Sequence, residues 1–457
     1  MKQFKSDVAR SEVRGFYRTS LHVALFALIS YAVDYSFQLV DIYWATQIGV
    51  GAPTAIAVVS SIFFLTLSLN EVIGVGTVAV FAQRFGQTDH ARTGEAILLA
   101  LLVKAVLGIM SAGVFLLLID FVLISYELSE TELLYTQDYT KVIWLSLLLV
   151  PVYSTMMTAM RTVGRAHLAS YISVAAFVIN VVANPILIFG YGPIPPLGIA
   201  GAAWATVLAQ LIAMLCCFFM MQDHRFPVPV FSRGLLSWQP QLAWSFLVIG
   251  LPVGGVILLY NFEQVILTAL LTEYGAEVSD GYGVGARIFG LFFMVNFGIG
   301  LGIAVAVGHA IGSGRIELIR HCIPRISLMI IALLTAVALL IFLFADYLML
   351  AFNDNSVTVQ IGAIYLRFMA FANIAIGIIY CYNGVFEGAG RNSPPLAIAV
   401  VIYLAFEFPA LAYLGWFTAA DLSWVWLTVS ATYVLGAALT VRQFCKTTWR
   451  LSPAAQS

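Results

Sequence analysis

The chain has 457 residues, 61% of them hydrophobic and 10% charged, with a formal net charge of -1. Soluble domains carry about 25% charged residues, and no basic region here could grip nucleic acid phosphates. With a mean hydropathy of +0.95, the composition leaves an all-α polytopic membrane protein.

The first residues, M-K-Q-F-K-S-D-V-A-R, are polar and lead into a full-length apolar run. A secretory signal would show a short apolar core and a small-residue cleavage site, so this first span is expected to be retained. Runs near the about 20 residues needed to cross a bilayer fall at 20–45, 55–81, 95–124, 139–161, 168–190 and 200–221. After a polar break they resume at 243–272, 284–310, 323–346, 359–385, 394–416 and 422–443, twelve in all. The break, Gln222 to Gln241, contains Pro227, Pro229 and Pro240. The expected organisation is therefore a six-helix lobe over 1–221, a cytoplasmic linker over 222–242, a second six-helix lobe over 243–445 and a cytoplasmic tail over 446–457.

Cytoplasmic loops carry an excess of Lys and Arg. Lys2, Lys5, Arg10, Arg14 and Arg18 precede the first span, and every second loop repeats the bias: Arg84 and Arg92, Arg161 and Arg165, Arg225 and Arg233, Arg315 with Arg320 and Arg325, then Arg391. Arg442, Lys446 and Arg450 follow the last span. The intervening loops hold acids, such as Glu127, Glu130 and Glu132, or Glu273, Glu277 and Asp280. Both termini are expected in the cytoplasm of a multi-pass inner-membrane protein.

A shift of 226 residues superimposes the halves, carrying Gln38 onto Gln264, Gly49 onto Gly275, Asn70 onto Asn296 and Gly76 onto Gly302. It holds further on, at Gly86 with Gly312, Tyr139 with Tyr365, and Gly164-Arg165 with Gly390-Arg391. Six spans per copy is an even number, so both copies face the same way about an axis along the membrane normal. Parallel repeats of this kind are expected to rock about a midplane site.

Against that apolar background the buried polar residues stand out. Ser30 to Gly49 carries Asp34 and Asp41 inside the first span. An Asp at bilayer depth costs roughly 2.5–3.5 kcal/mol on insertion scales. Seven residues apart, the two share a helix face about 10 Å apart along the axis. Withdrawal from water disfavours the charged form of a carboxyl, a property that suits a proton or cation exchange site. The shift places Leu267 opposite Asp41; a purely structural need would act on both copies, so the asymmetry favours function. The plainer reading is a carboxylate that ties helices together.

In the fifth span Asn180 and Asn184 lie at i and i+4, on one face, each offering a donor and an acceptor to a carboxyl or cation. Pro185 deprives the Val181 carbonyl of its helical partner. Polar glue between helices is the alternative. Glu263 in the seventh span is the candidate acid of the second half; Glu71 is comparably deep, Glu407 is weighed without a role, and Glu387 is expected to pair with Arg391. Lys104, Arg287 and Arg367 are candidate neutralising cations. Gly-x-Gly at 74–76 and 300–302 reads as close helix approach, since no P-loop Lys follows. Cys216, Cys217, Cys322, Cys381 and Cys445 have no metal-ligand spacing, and no catalytic set is arranged. No cofactor, no metal site of that kind and no enzyme activity are expected.

The chain resembles the multidrug and toxic compound extrusion (MATE) transporters over nearly its whole length. Asp41-I-Y-W-A-T-Q-I-Gly49 is similar to the family's first-span Asp with Gly eight residues later, and Pro196-L-Gly198-I-A-Gly201-Ala202-Ala203-W-Ala205-Thr206-V-L-A-Gln210 to its sixth-span signature. The resemblance implies a twelve-helix, two-lobed monomer exporting organic cations or other amphipathic compounds in exchange for protons or sodium ions. It also implies that Asp41, Asn180 and Tyr139 match the amino-terminal-lobe site of the branch similar to DinF. Na+ at Asp41, Asn180 and Asn184 is the cation alternative. Asn184 departs from members with Asp there. In the seventh span, other branches place Glu eight residues after a Pro; counting from Pro252 gives Tyr260, with Glu263 a turn further on. Tyr260 and Glu263 are thus the candidate C-lobe cation or substrate site. The competing function is a lipid-linked precursor flippase of the same superfamily, which calls for a cation-lined cavity. A membrane enzyme or a channel fits less well.

Overall fold

A computed structural model of the chain describes residues 7–126, 128–231, 239–417 and 421–447. Lys2, Lys5, Glu127, Arg233 and Arg450 lie outside the described residues, as do the side chain of Gln38 and most of the expected tail.

α1 (Asp7–Ile48), α2 (Ala52–Gly86) and α3 (His90–Ser125) are followed by α4 (Glu130–Ile143) and α5 (Ser146–Thr162), which form one rod bent by 47°. α6 (Ala166–Phe189) and α7 (Ile199–Gln222) complete the first set. The second set opens with α8 (Pro240–Glu273), α9 (Ala276–Gly312), α10 (Glu317–Leu350) and α11 (Ser356–Gly388). α12 (Ser393–Val400) runs through a π-helical stretch, Val401–Glu407, into α13 (Phe408–Phe417), and α14 (Leu422–Lys446) is last. Ten of these helical runs are long and apolar enough to cross a membrane and the bent pair is an eleventh. α2, with 35 residues, makes twelve rods among the described residues. The helices overrun the apolar stretches that signalled them; α1 begins at Asp7 rather than 20.

In lipid a helix satisfies its own backbone, so side chains have most to specify at the ends. Ser129 and Glu132 form a reciprocal capping box at the start of α4. Asn355, the residue that the 226-residue shift sets opposite Ser129, caps α11 by accepting from the Val357 and Thr358 amides. After α2 the chain turns through Thr88 at φ 62°, whose counterpart after α9 is Gly314 at φ 74°. A side chain at such a φ is strained where glycine is not. The π-helical stretch precedes Pro409, which has no N–H to offer the carbonyl of Ala405.

By packing, the chain divides into two compact units: Ile29–Gly250 forms most of one, and Met1–Leu28 with Leu251–Ser452 the other. The borders thus fall inside α1 and α8, displaced from the 221 and 243 expected from the polar break. In the first unit a Cβ on Gly76 would lie 1.9 Å from the Phe246 carbonyl oxygen. In the second, a Cβ on Gly302 would lie 2.4 Å from the Ser20 carbonyl oxygen. The same shift relates Gly76 to Gly302 and Ser20 to Phe246. Each Gly-x-Gly therefore allows the close backbone approach expected of it.

Candidate functional site

Asp41 lies in the Ile29–Gly250 unit, 6% exposed. Thr206 Oγ1 on α7 donates to its Oδ2 at 3.1 Å, and Asn184 Nδ2 on α6 donates to its Oδ1 at 3.2 Å. The Asn184 amide also reaches Asn180 Oδ1 at 3.2 Å, while Asn180 Nδ2 donates to Thr206 Oγ1 at 3.2 Å. Both asparagines are fully buried, and their i, i+4 spacing puts them on one face of α6. α7 comes close because Gly201 has no side chain: a Cβ there would sit 2.4 Å from the Leu187 carbonyl oxygen. Tyr139 on α4 is buried within electrostatic reach of Asp41. The Oδ1 atom of Asn184 meets no donor.

Both oxygens of Asp41 face donors, the arrangement that suits an ionised carboxyl. Turning the Asn184 amide over would present its oxygen instead, which suits a protonated carboxyl or a bound cation. The groups acting on Asp41 are Thr206, Asn184 and Asn180, with no lysine or arginine among them. Among the described residues no group of three His, Cys, Asp or Glu is placed to hold a metal ion.

Asp34 belongs to different surroundings. The half-buried carboxyl has Arg161 and Glu71 as its charged neighbours, and the Arg161 guanidinium stacks over the Tyr31 ring at 5.4 Å. Lys104 is 1% exposed, and its ammonium donates to the Asn70 carbonyl. Glu71 Oε2 and Lys104 Nζ both come within 3.5 Å of where a Gly74 Cβ would be. Lys104 thus lies near Glu71 and within its electrostatic reach.

In the other unit Glu263 on α8 and Glu407 in the π-helical stretch are each 1% exposed. The Tyr433 hydroxyl donates to Glu263 Oε1 and Oε2, both at 3.2 Å, and Thr432 Oγ1 donates to Glu407 Oε2 at 2.8 Å. Tyr403 also hydrogen-bonds Glu263, and the two carboxyls are within hydrogen-bonding reach of each other. Beside them is an aromatic cavity of about 540 Å³, counting the part open to solvent, lined among others by Tyr260, Glu263, Tyr282, Trp426 and Tyr433. Tyr260 stacks on Phe293 with centroids 6.0 Å apart.

Two pairings of the remaining charges differ from expectation or go beyond it. Glu387 does not pair with Arg391: no such ion pair occurs among the described residues, and burial is the sole influence on the Glu387 carboxyl. Arg367 pairs with Asp346 on α10, and Arg287 is exposed. Thr206, Glu407, Thr432 and Tyr433 carry no local mark in the sequence that singles out the contacts they make here. A signal existed for one of them, since the 226-residue shift carries Thr206 onto Thr432.

The MatE family model matches residues 27–186 and again 252–413, once in each repeat. The chain is 25% identical over 388 residues to the probable multidrug resistance protein YpnP of Bacillus subtilis, covering 84% of this chain and 85% of that one. It is 22% identical over 405 residues to the multidrug export protein MepA of Staphylococcus aureus, covering 86% and 88%. A MATE crystal structure in the bent conformation superimposes with a TM-score of 0.87 at 20% identity, over 95% of this chain and 96% of that one. The bent form of the Vibrio cholerae MATE transporter VcmN gives 0.86 at 19% identity, over 95% and 98%. With both halves matched and the twelve-rod fold shared, the chain belongs to the MatE family and is a multi-pass MATE transporter.

Proposed function

We propose that the protein is a secondary antiporter of the DinF-like branch, exporting amphipathic organic compounds, cations among them, across the inner membrane in exchange for protons or sodium ions. It works as a monomer by alternating access, with both termini in the cytoplasm. Asp41 is the exchange residue. The observation that carries this reading is the company Asp41 keeps: two amides and a hydroxyl, with no lysine or arginine among the groups acting on it. A cation would hold the carboxyl ionised throughout the cycle, whereas amides and hydroxyls follow either state by turning over. Arrival of a proton or sodium ion trades the donors around Asp41 for acceptors, and its departure restores them. One proton moving with the membrane potential supplies about 2.3 kcal/mol per 100 mV, which is converted into uphill export.

Asp34, with Arg161 beside it, supports the exchange site from a separate group. The flippase alternative is less well supported: Lys104 is buried and donates to the Asn70 carbonyl, and Arg367 pairs with Asp346, so these two cations are already engaged within the protein. The test is dye efflux in everted vesicles with proton and sodium gradients imposed separately. Asp41→Asn is expected to abolish gradient-driven efflux while keeping a native unfolding transition in detergent; undiminished efflux from that variant rules Asp41 out.

A further inference from the structure

We propose that the exposed arginines at the starts of α1 and α10 form a face that binds the headgroup of an anionic phospholipid, on the unit made of Met1–Leu28 and Leu251–Ser452. Such binding is independent of exchange at Asp41, and the cytoplasmic orientation enters only in naming the inner leaflet. Arg10, Arg14 and Arg18 are exposed and recur every four residues, which lays them along one side of the turns of α1 ahead of its apolar run. Leu21 and Leu25, both exposed, carry that side into the run. The opposite side holds Val13, Phe16 and Tyr17, which pack with Ile319, Cys322 and Ile323 of α10. Arg320 and Arg325 are exposed at the start of α10, and Leu328, Met329 and Leu333 continue its exposed surface. The two helix starts are held side by side: Arg315 pairs with Glu12 at 3.4 Å, and the Arg325 guanidinium hydrogen-bonds the Tyr17 hydroxyl. Cations at the membrane border followed by an exposed apolar length suit a phospholipid, phosphate at the one and acyl chain along the other.

The other copy of the repeat shows that the fold does not demand these cations. Under the 226-residue shift Phe16 becomes Leu242, buried as well, and Leu25 becomes Leu251, exposed as well. Arg14 and Arg18 become Pro240 and Trp244. The residues opposite Arg320 and Arg325 are Gly94 and Leu99 of α3, and there the chain covers its own helix. A Cβ on Gly94 would lie 2.2 Å from the Pro229 carbonyl oxygen, and Val228 and Val230 share a buried cluster with Leu99. One copy thus seals with its own backbone the face that the other leaves open and charged. The cations of the sealed copy are also engaged: Arg84 is buried and donates to the Arg92 carbonyl, Arg92 faces Asp89, and Arg165 donates to the Arg225 carbonyl. Among the described residues no ion pair engages Arg14, Arg18, Arg320 or Arg325. Glu317 is an exposed acid at the start of α10, outnumbered by these cations, and a phosphodiester supplies the balancing charge.

The test uses the full chain in detergent, titrated with phosphatidylglycerol and with phosphatidylcholine that carry the same fluorescent acyl chain. Each cation near an anionic headgroup contributes a factor of roughly five in affinity, so phosphatidylglycerol is expected to bind at least about tenfold more tightly. Combining Arg14→Gln, Arg18→Gln, Arg320→Gln and Arg325→Gln is expected to bring its affinity down to that of phosphatidylcholine, whereas Arg92→Gln in the other copy leaves the preference intact. Equal binding of the two lipids by the unsubstituted chain, or a preference that survives the fourfold variant, overturns the proposal. Displacement of the labelled lipid by millimolar inorganic phosphate overturns it too, since the face would then serve a soluble anion. Because the fourfold variant could fail to fold, the unsubstituted chain is also irradiated with a photoreactive phosphatidylglycerol. Mass spectrometry should place the adduct on the first turns of α1 or α10; adducts confined to α2–α7 count equally against it.

Discussion

In the N-terminal half Thr206 of α7 donates to Asp41; in the C-terminal half Thr432 of α14, its counterpart under the 226-residue shift, donates to Glu407. The hydroxyl has stayed in register while the carboxyl it serves has changed helix, from α1 in one copy to the π-helical stretch in the other. The remaining ligands differ as well. Two asparagine amides complete the first cluster, whereas a second carboxyl and two tyrosine hydroxyls complete the other. A solitary acid among amides can change state alone. Paired acids titrate as a coupled unit, the state of one bearing on that of the other. The comparison teaches that the repeat conserves a place for a buried carboxyl and leaves open what that carboxyl does.

The comparison is broken most severely by Asp41→Asn, for which gradient-driven efflux is expected to fall to background in vesicles. Next come the glycines at the close approaches. Gly76→Leu and Gly302→Leu each force a side chain into a backbone carbonyl, and each is expected to destabilise by about 3 kcal/mol or more, read from thermal unfolding in detergent. Similar losses in the two copies would show that the repeat is mechanical as well as sequential. A smaller and unequal pair sharpens the contrast between clusters. Thr206→Val removes a donor from a carboxyl facing only donors and should cost about 1.5–3 kcal/mol, whereas Thr432→Val removes one from a carboxyl that has a second acid rather than amides beside it and should cost about 1 kcal/mol. Equal losses at the two threonines would argue that both acids are in the same state.

The smallest effects lie at the helix ends. Thr88→Gly should stabilise by about 0.5–1 kcal/mol, because relief of a left-handed side chain outweighs the added chain entropy. Gly314→Thr should reverse that gain. Ser129→Ala and Asn355→Ala should each lose about 1 kcal/mol as their caps go, and matching shifts in unfolding midpoint would again pair the copies.

The rods and the repeat were legible because hydropathy and a constant offset are properties of the string. So was the Asn180–Asn184 face, which follows from helix geometry. Thr206 lies in the Pro196–Gln210 signature, but its contact with Asp41 depends on how closely α7 approaches α6 at Gly201, which the string does not carry. Glu407 was visible as an acid, but its approach to Glu263 depends on a π-helical stretch for which Pro409 is the only local cue. The expected Glu387–Arg391 pair followed from spacing, yet a four-residue separation shows only that two side chains can meet. The unit borders inside α1 and α8 left no local mark, since a helix has the same pattern whichever unit its first turns join.

Those borders carry a further implication. The stretch ahead of Ile29 is packed with the later half of the chain, and the stretch from Pro240 to Gly250 with the earlier half. A half-length ancestor that paired with its own copy by swapping helix starts would have had this same exchange, and end-to-end fusion would then have needed only one connecting loop. Each half on its own would lack the helix start that packs with it. Two fragments made by severing the chain between α7 and α8 should accordingly be insoluble or degraded when produced singly, and should recover a native fold when produced together.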